Sequence, residues 1–485
     1  MELETTTCYQ ALLSRDTRFD GAFFVGVRTT GIYCRPICTA KTPRQENCRF
    51  FASAGAAEGA GFRPCLRCRP ELAPGRAPVD AVSRLAATAY TRIEEGALSV
   101  GGVEDLAQEL GVTSRHLRRV VENEFGVSPV ALAQTQRLLL AKRLLTDTDL
   151  SVTDIAFASG FASLRRFNTL FRERYRLNPT GLRKTRLTAT IPSALTFELA
   201  YRAPLDWDAL LSFLAGRASC GVEAMEGRRY LRTVRLKGCT GWLTVEPTAG
   251  RSTLRLEVSA SLAPALLPLL ARVRRLFDLS ADPHQIAAVL GALSEANPGL
   301  RLPVAFDGFE MGVRAILGQQ VSVKAATTLA GRVAARFGVP TQTPFAALTH
   351  LFPPPEQLAG VEIIDLTALG IVTARAEAIQ ALAREMAAGR LLLEPGADAE
   401  ATMARLQTLP GIGAWTAHYL AMRALGWPDA FPHTDLALRR AMGDPSPRRL
   451  LEEAEKWRPW RAYAAMHLWK SLENGSNGSS KEQTS

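Results

Sequence analysis

Four cysteines fall in two close pairs. Three residues separate Cys34 from Cys38, two separate Cys65 from Cys68, and 26 residues lie between the pairs. Such pairs can converge on one tetrahedral ion, and thiolate sulfur is a soft ligand suited to zinc. Four sulfurs close the coordination shell, so spacing alone favours a purely structural zinc site. Two disulfides are the alternative, but no secretory sign precedes these cysteines. A second chemically capable group lies far downstream. Pro410-Gly411-Ile412-Gly413 closes one expected helix and opens another, and Asp435 follows Gly413 by 22 residues. Backbone N–H groups exposed at a glycine hairpin can hold a phosphate. A carboxylate nearby can stabilise positive charge and orient water. Taken alone, an Asp ahead of a helix is an N-cap.

These groups sit in a chain long enough for three or four domains. Of its 485 residues, 58 are Lys or Arg and 47 Asp or Glu, a net charge of +11. Residues 1–187 hold 27 basic against 19 acidic side chains, so the excess is concentrated amino-terminally. That balance points to a polyanionic partner, although a basic face can also be merely solvated. Cys8, Cys48, Cys220 and Cys239 are unpaired at ligand spacing and read as free thiols of a reducing compartment. No apolar run reaches membrane-spanning length and no signal-peptide core opens the chain, so a cytoplasmic protein is expected.

The fold class expected is multidomain and mainly α, with one α+β domain. Residues 1–78 form the cysteine module and end in the linker Ala73-Pro74-Gly75-Arg76-Ala77-Pro78. Residues 79–187 contain a helical repeat. A short helix at Asp105–Leu110 is broken by Gly111, Ser114 is the expected N-cap, and Arg115–Phe125 follows with Leu117, Val120 and Val121 on its apolar face. The pattern returns 49 residues later as Ile155–Ala158, Gly160, Ser163 and a helix carrying Phe167, Leu170 and Phe171. Pro129–Thr146 joins the copies as a long helix. Residues 188–297 alternate like strands around helices at Asp206–Leu214 and Leu262–Phe277. Residues 298–472 are helical, and 473–485 are a flexible tail by composition.

The stretches Phe23–Pro36, Glu46–Phe51 and Gly61–Cys65 resemble the amino-terminal domain of the Ada adaptive-response proteins. The resemblance implies that Cys34, Cys38, Cys65 and Cys68 bind Zn2+. It also implies that Cys34 accepts a methyl group from a methyl phosphotriester in DNA. Zinc keeps such a thiolate deprotonated, and its methylation makes the site less anionic toward phosphate. The repeat resembles the AraC-type double helix-turn-helix, down to Asn178-Pro179-Thr180. It would place Arg115, His116, Arg118 and Arg119 in one major groove and Arg165, Arg166, Asn168 and Thr169 in the next. Arg can pair with guanine edges and Asn with adenine, but many of these residues could touch only phosphate. A promoter-bound regulator implies RNA polymerase as a further partner.

Ala203–Trp207 and Arg275–Leu279 resemble the amino-terminal, TBP-like α+β layer of AlkA-type 3-methyladenine DNA glycosylases, where a scaffold role is expected. The glycine hairpin followed by Phe431–Leu436 resembles the helix-hairpin-helix glycosylase superfamily, the AlkA branch in particular. That resemblance implies that Asp435 is the catalytic carboxylate. It makes Trp415, Tyr419 and Trp469 the walls of a base pocket, and Gly411 and Gly413 the phosphate-binding hairpin. Lyase members carry Lys where this chain has Trp415, so base removal without strand cleavage is expected. Gln320 stands where relatives can carry a Leu wedge, which makes the wedge polar here. No Pro-Cys-His site of a guanine-repair methyltransferase occurs. Double-stranded DNA, at promoters and at alkylated sites, is the partner implied. A regulator whose glycosylase fold is non-catalytic is the alternative.

Overall fold

The strand Phe24–Val27 (β1) is built around a close approach. A Cβ on its Gly26 would lie 2.8 Å from the Phe51 ring and 2.9 Å from that of Phe62, so glycine alone lets both rings pack over the strand. It sits inside a four-stranded sheet with Ile32–Cys34 (β2), Cys48–Phe51 (β3) and Arg63–Pro64 (β4), in the order β3-β1-β2-β4. β2 runs antiparallel to β1, and β4 runs parallel to β2 with Tyr33 opposite Pro64. This register sets Cys34, at the end of β2, beside Cys65, just past the end of β4. The computed structural model describes residues 4–74, 84–183 and 193–479. The latter part of the expected linker (75–78), the boundaries at 78/79 and 187/188, and residues 480–485 lie outside them.

By contacts the chain divides into two compact units. One comprises Met1–Arg202, Val234–Arg274 and Leu279–Ala281; the other comprises Ala203–Thr233, Arg275–Asp278 and Asp282–Ser485. In the first, the expected repeat appears as Val103–Glu109 with Ser114–Phe125, and Val152–Ala158 with Leu164–Tyr175. Pro129–Asp147 lies between the pairs. Gly111 and Gly160 take the left-handed conformation that turns each pair, with φ of +68° and +83°. Ser163 caps the second copy through Arg166 N–H, as expected. In the first copy the cap is Thr113, not Ser114: Thr113 is extended and its hydroxyl accepts from His116 N–H. A cap must stand outside the helix to reach the N3 amide, and Ser114 is already inside it. With Thr113 as cap, the first buried residue falls four positions later in both copies, at Leu117 and Phe167.

The cysteine module is fastened to the Pro129–Asp147 helix by buried polar contacts. Lys142 Nζ meets both Glu71 oxygens at 2.6 Å, and Arg69 meets Asp147 at 2.7 Å. Glu58 accepts from Tyr33 (3.1 Å), Thr135 (3.1 Å) and Tyr175 (3.3 Å).

The α+β segment forms an antiparallel sheet from Ala194–Ala200 (β5), Glu223–Glu226 (β6), Arg229–Leu236 (β7), Cys239–Pro247 (β8) and Thr253–Ser259 (β9), in the order β5-β9-β8-β7-β6. Strand β6 had no alternation to announce it. The helix expected at Leu262–Phe277 is a 3₁₀ segment, Ala260–Ala265, followed by an α-helix at Leu266–Leu276; Pro264 cannot donate within the first turns.

In the second unit, Ala399–Gln407 leads into the hairpin and Ala414–Arg423 leaves it. Leu436–Ala441 follows, and Arg461–Ser479 closes the described chain. The last helix runs through 473–479, where a flexible tail was expected. Extending a helix that already exists avoids the nucleation penalty, which lets poor helix formers join it. No described helix is long and apolar enough to cross a membrane.

Candidate functional sites

The Sγ atoms of Cys34, Cys38, Cys65 and Cys68 all lie within 4.8 Å of one another. Tetrahedral zinc with bonds of about 2.3 Å sets its sulfurs about 3.8 Å apart, so the cluster has the size the ion needs. Three of the cysteines are buried, and Cys68 is partly exposed. Backbone N–H groups of Arg35 and Arg67 point at Cys68 Sγ (3.3 Å) and Cys65 Sγ (3.4 Å), and that of Ala40 at Cys38. No such donor reaches Cys34 among the described residues. Arg35, between the ligands, pairs with buried Asp20 and donates to the Cys68 carbonyl at 3.2 Å.

On the helix-turn-helix pair, Arg115, Arg118 and Arg119 are exposed on Ser114–Phe125, and His116 is half-buried. Arg118 pairs with Glu104 at 2.8 Å, and Arg119 Nη2 lies 3.1 Å from His116 Nδ1. Both are surface contacts of the kind contributing up to about 1 kcal/mol, small enough to exchange for phosphate or base contacts. Arg165, Arg166 and Thr169 are exposed on Leu164–Tyr175, with Asn168 half-buried beside them.

In the second unit the expected carboxylate and aromatics come together. Asp435 is an N-cap, its Oδ1 accepting from Leu438 N–H at 2.9 Å. It is also clamped by two indoles: Trp415 Nε1 donates to Oδ2 at 2.8 Å and Trp469 Nε1 to Oδ1 at 3.1 Å. Capping therefore leaves the same carboxylate able to accept from both indoles. Trp415 and Tyr419 do not form two separate platforms. Their rings stack on each other with centroids 5.1 Å apart and planes 8° apart, and Tyr419 is buried. Trp469 meets Tyr419 edge-on at 6.2 Å.

The hairpin has Gly411 at φ +71° and Gly413 as N-cap of Ala414–Arg423, with buried Ile412 between them. Gln320 is exposed and left-handed, φ +53°. Its neighbour Gln319, which the sequence did not single out, donates to Gly411 O at 2.8 Å and Thr416 Oγ1 at 3.0 Å. It thereby ties the Gln320 turn to the hairpin. No sequence signal links an amide to a carbonyl 92 residues away.

Four families match consecutive segments. They are the metal binding domain of Ada at residues 7–71, a helix-turn-helix domain at 106–185, the AlkA N-terminal domain at 196–307, and the HhH-GPD superfamily base excision DNA repair protein at 313–452. Over 488 residues the chain is 42% identical to the probable bifunctional transcriptional activator/DNA repair enzyme AlkA of Mycobacterium tuberculosis, covering 97% of each. The chain belongs to that family. Its parts also have separate relatives. Escherichia coli DNA-3-methyladenine glycosylase 2 is 40% identical over 273 residues, 56% of this chain and 96% of its own length. The E. coli bifunctional transcriptional activator/DNA repair enzyme Ada is 37% identical over 153 residues, 32% of this chain and 42% of its own. In this family context the four-cysteine cluster is a zinc site.

Proposed function

We propose that the protein senses methyl phosphotriesters in DNA, activates transcription in response, and excises alkylated bases such as 3-methyladenine. The observation that carries the excision half is the Asp435 carboxylate held between the indoles of Trp415 and Trp469, next to the hairpin that would grip the backbone. A damaged base must leave the duplex to be processed. Trp415 and Trp469 would take it against their rings, favoured by its positive charge. As the glycosidic bond breaks, the electron pair goes to the base and positive charge builds on the sugar. Asp435 faces that charge, stabilises it and orients the water that adds to the sugar. Position 415 offers no amine, which supports hydrolysis without strand cleavage.

In the sensor half, zinc when bound keeps all four sulfurs as thiolates. Cys34 is the sulfur without a backbone donor to damp its lone pairs, which supports it as the nucleophile. Its Sγ bonds to the methyl carbon, the carbon–oxygen ester bond breaks, and the phosphate oxygen departs with the electron pair as a diester anion. One negative charge is lost at the cluster, favouring DNA affinity. The helix-turn-helix units then hold the promoter through Arg115, His116, Arg118, Arg119, Arg165, Arg166, Asn168 and Thr169, where RNA polymerase would be recruited. Gln320 is the proposed wedge.

The test is free-base release from methylated duplex by the intact chain and by Asp435→Asn, with the mass of the Cys34 peptide followed in parallel. Release of 3-methyladenine by the first and not the second supports the assignment. Release by both would move the carboxylate elsewhere. Release by neither would favour a regulator with a silent repair domain.

A further inference from the structure

Tyr419 stands at the back of the proposed base pocket, and its hydroxyl meets cations. Arg423 Nη1 donates to the phenol oxygen at 3.1 Å, and the charge of Arg217 also acts on it. Arg423 is anchored by its Nε on the Pro303 carbonyl at 2.7 Å. Arg217 and Arg423 both lie over the Phe213 ring, at 3.7 and 4.8 Å, which holds the two guanidiniums close despite their charge. Among the described residues no acceptor takes the hydrogen of the Tyr419 hydroxyl. A buried O–H left unbonded is destabilising, so an oxygen that meets only donors is better suited as an anion.

The wider charge count agrees. Arg314 pairs with Glu223 at 2.9 Å, and Arg232 with Glu310 at 2.8 Å. Those two carboxylates balance two guanidiniums and, among the described residues, leave those of Arg217 and Arg423 without one. The remaining carboxylate of the pocket, Asp435, is already engaged by Trp415 and Trp469. An uncompensated positive cluster behind the pocket would repel a cationic alkylated base.

We propose that Tyr419 is a tyrosinate and acts as the charge selector of the base pocket: its ring, stacked on Trp415, supplies the negative charge that lets a cationic base enter beside Arg217 and Arg423. Burial pushes the phenol up while Arg423, Arg217 and Arg314 pull it down, and the balance falls below the ordinary tyrosine value. Tyr419 is thus a specificity determinant that acts through Trp415. The inference rests on the glycosylase reading and specifies which bases that site prefers.

The experiment has two arms on the full chain. The first is the near-ultraviolet difference spectrum of wild type minus Tyr419→Phe, followed from pH 6 to 11. A tyrosinate band already present at neutral pH supports the proposal; a band that appears only near the ordinary value of about 10 overturns it. The second compares release of cationic 7-methylguanine with release of neutral hypoxanthine. Tyr419→Phe should lower the ratio of cationic to neutral release by about tenfold, the order expected for one unit charge at pocket distance. An equal fall for both bases means a merely structural ring and overturns the selector role. If the wild type releases neither base, the glycosylase reading fails and the selector role falls with it, although the spectrum still reports the charge on Tyr419.

Discussion

The indole nitrogen of Trp415 lies 2.8 Å from Asp435 Oδ2, and that bond makes one group of two segments 20 residues apart. Trp415 belongs to the first turn of the helix leaving the hairpin, and Asp435 caps the helix after it. Ring and carboxylate are therefore held together, and under the proposed function a base resting on the ring would lie beside the carboxylate.

Asp435→Asn should fold normally, because Asn is as good an N-cap as Asp. It should lose base release by roughly 10²–10³-fold, as expected for removing a preorganised charge from a transition state. Equal thermal midpoints with unequal excision rates would confirm that the loss is chemical. Wild-type rates from the Asn variant would refute the role.

Trp415→Phe keeps a ring in the stack on Tyr419 but removes the donor to Oδ2. Freed from that bond, Asp435 should turn, lowering kcat by about tenfold with a smaller change in KM. A change confined to KM would mean that Trp415 only binds the base.

Glu58 gives a pH dependence of stability. Burial raises its carboxyl to about 7, while Thr135, Tyr33 and Tyr175 as hydroxyl donors pull it partly back. The folded value lies above the unfolded one, so the native state holds the proton more tightly. The contribution is full below about pH 4.5 and is lost as pH rises toward 7, on the order of 3 kcal/mol across that window. The amino-terminal melting transition should therefore drop between pH 5 and 7.5 in the wild type and flatten in Glu58→Gln. A wild-type curve that rises over that range would contradict this.

Lys142→Met takes one of two cations from buried Glu71 and leaves it Arg69 at 3.0 Å, so the cost should fall below the roughly 3–5 kcal/mol of a wholly unpaired buried charge. The double variant with Glu71→Leu should recover most of it. A denaturant titration of the four proteins of the cycle reads the coupling directly; additivity would mean that the pair does nothing.

Arg165→Ala and Arg166→Ala separate binding to phosphate from reading of a base. If the arginine holds a phosphate, its removal should weaken every sequence alike and reduce the salt slope of binding by about 0.9. If it reads a base edge, its removal should relax preference at one position by about 1–3 kcal/mol. Binding isotherms at several salt concentrations, on promoter and unrelated duplex, distinguish the two.

Much of the candidate sites' local geometry was legible in the sequence. Cysteine spacing, the glycine hairpin and the repeated Gly-x-x-Ser helix starts are short-range signals, and each corresponds to a local geometry in the fold. Caps were legible to within one residue, and the error at Ser114 arose because Thr and Ser stood side by side. Strand β6 was not legible: four residues leave too few positions for alternation to show.

The sequence by itself determined which residues could do chemistry, because thiolates, carboxylates and indoles carry their reactivity with them, and it determined the helices and turns that hold them. The tertiary structure decided what those residues do to one another. It made Asp435 both a helix cap and the acceptor of two indoles, stacked Tyr419 on Trp415, and fastened the cysteine module to its neighbouring helices through Glu58, Glu71 and Lys142. Hydrogen bonds and ion pairs between distant segments have no period in the chain, so only the folded backbone can set their partners and their burial.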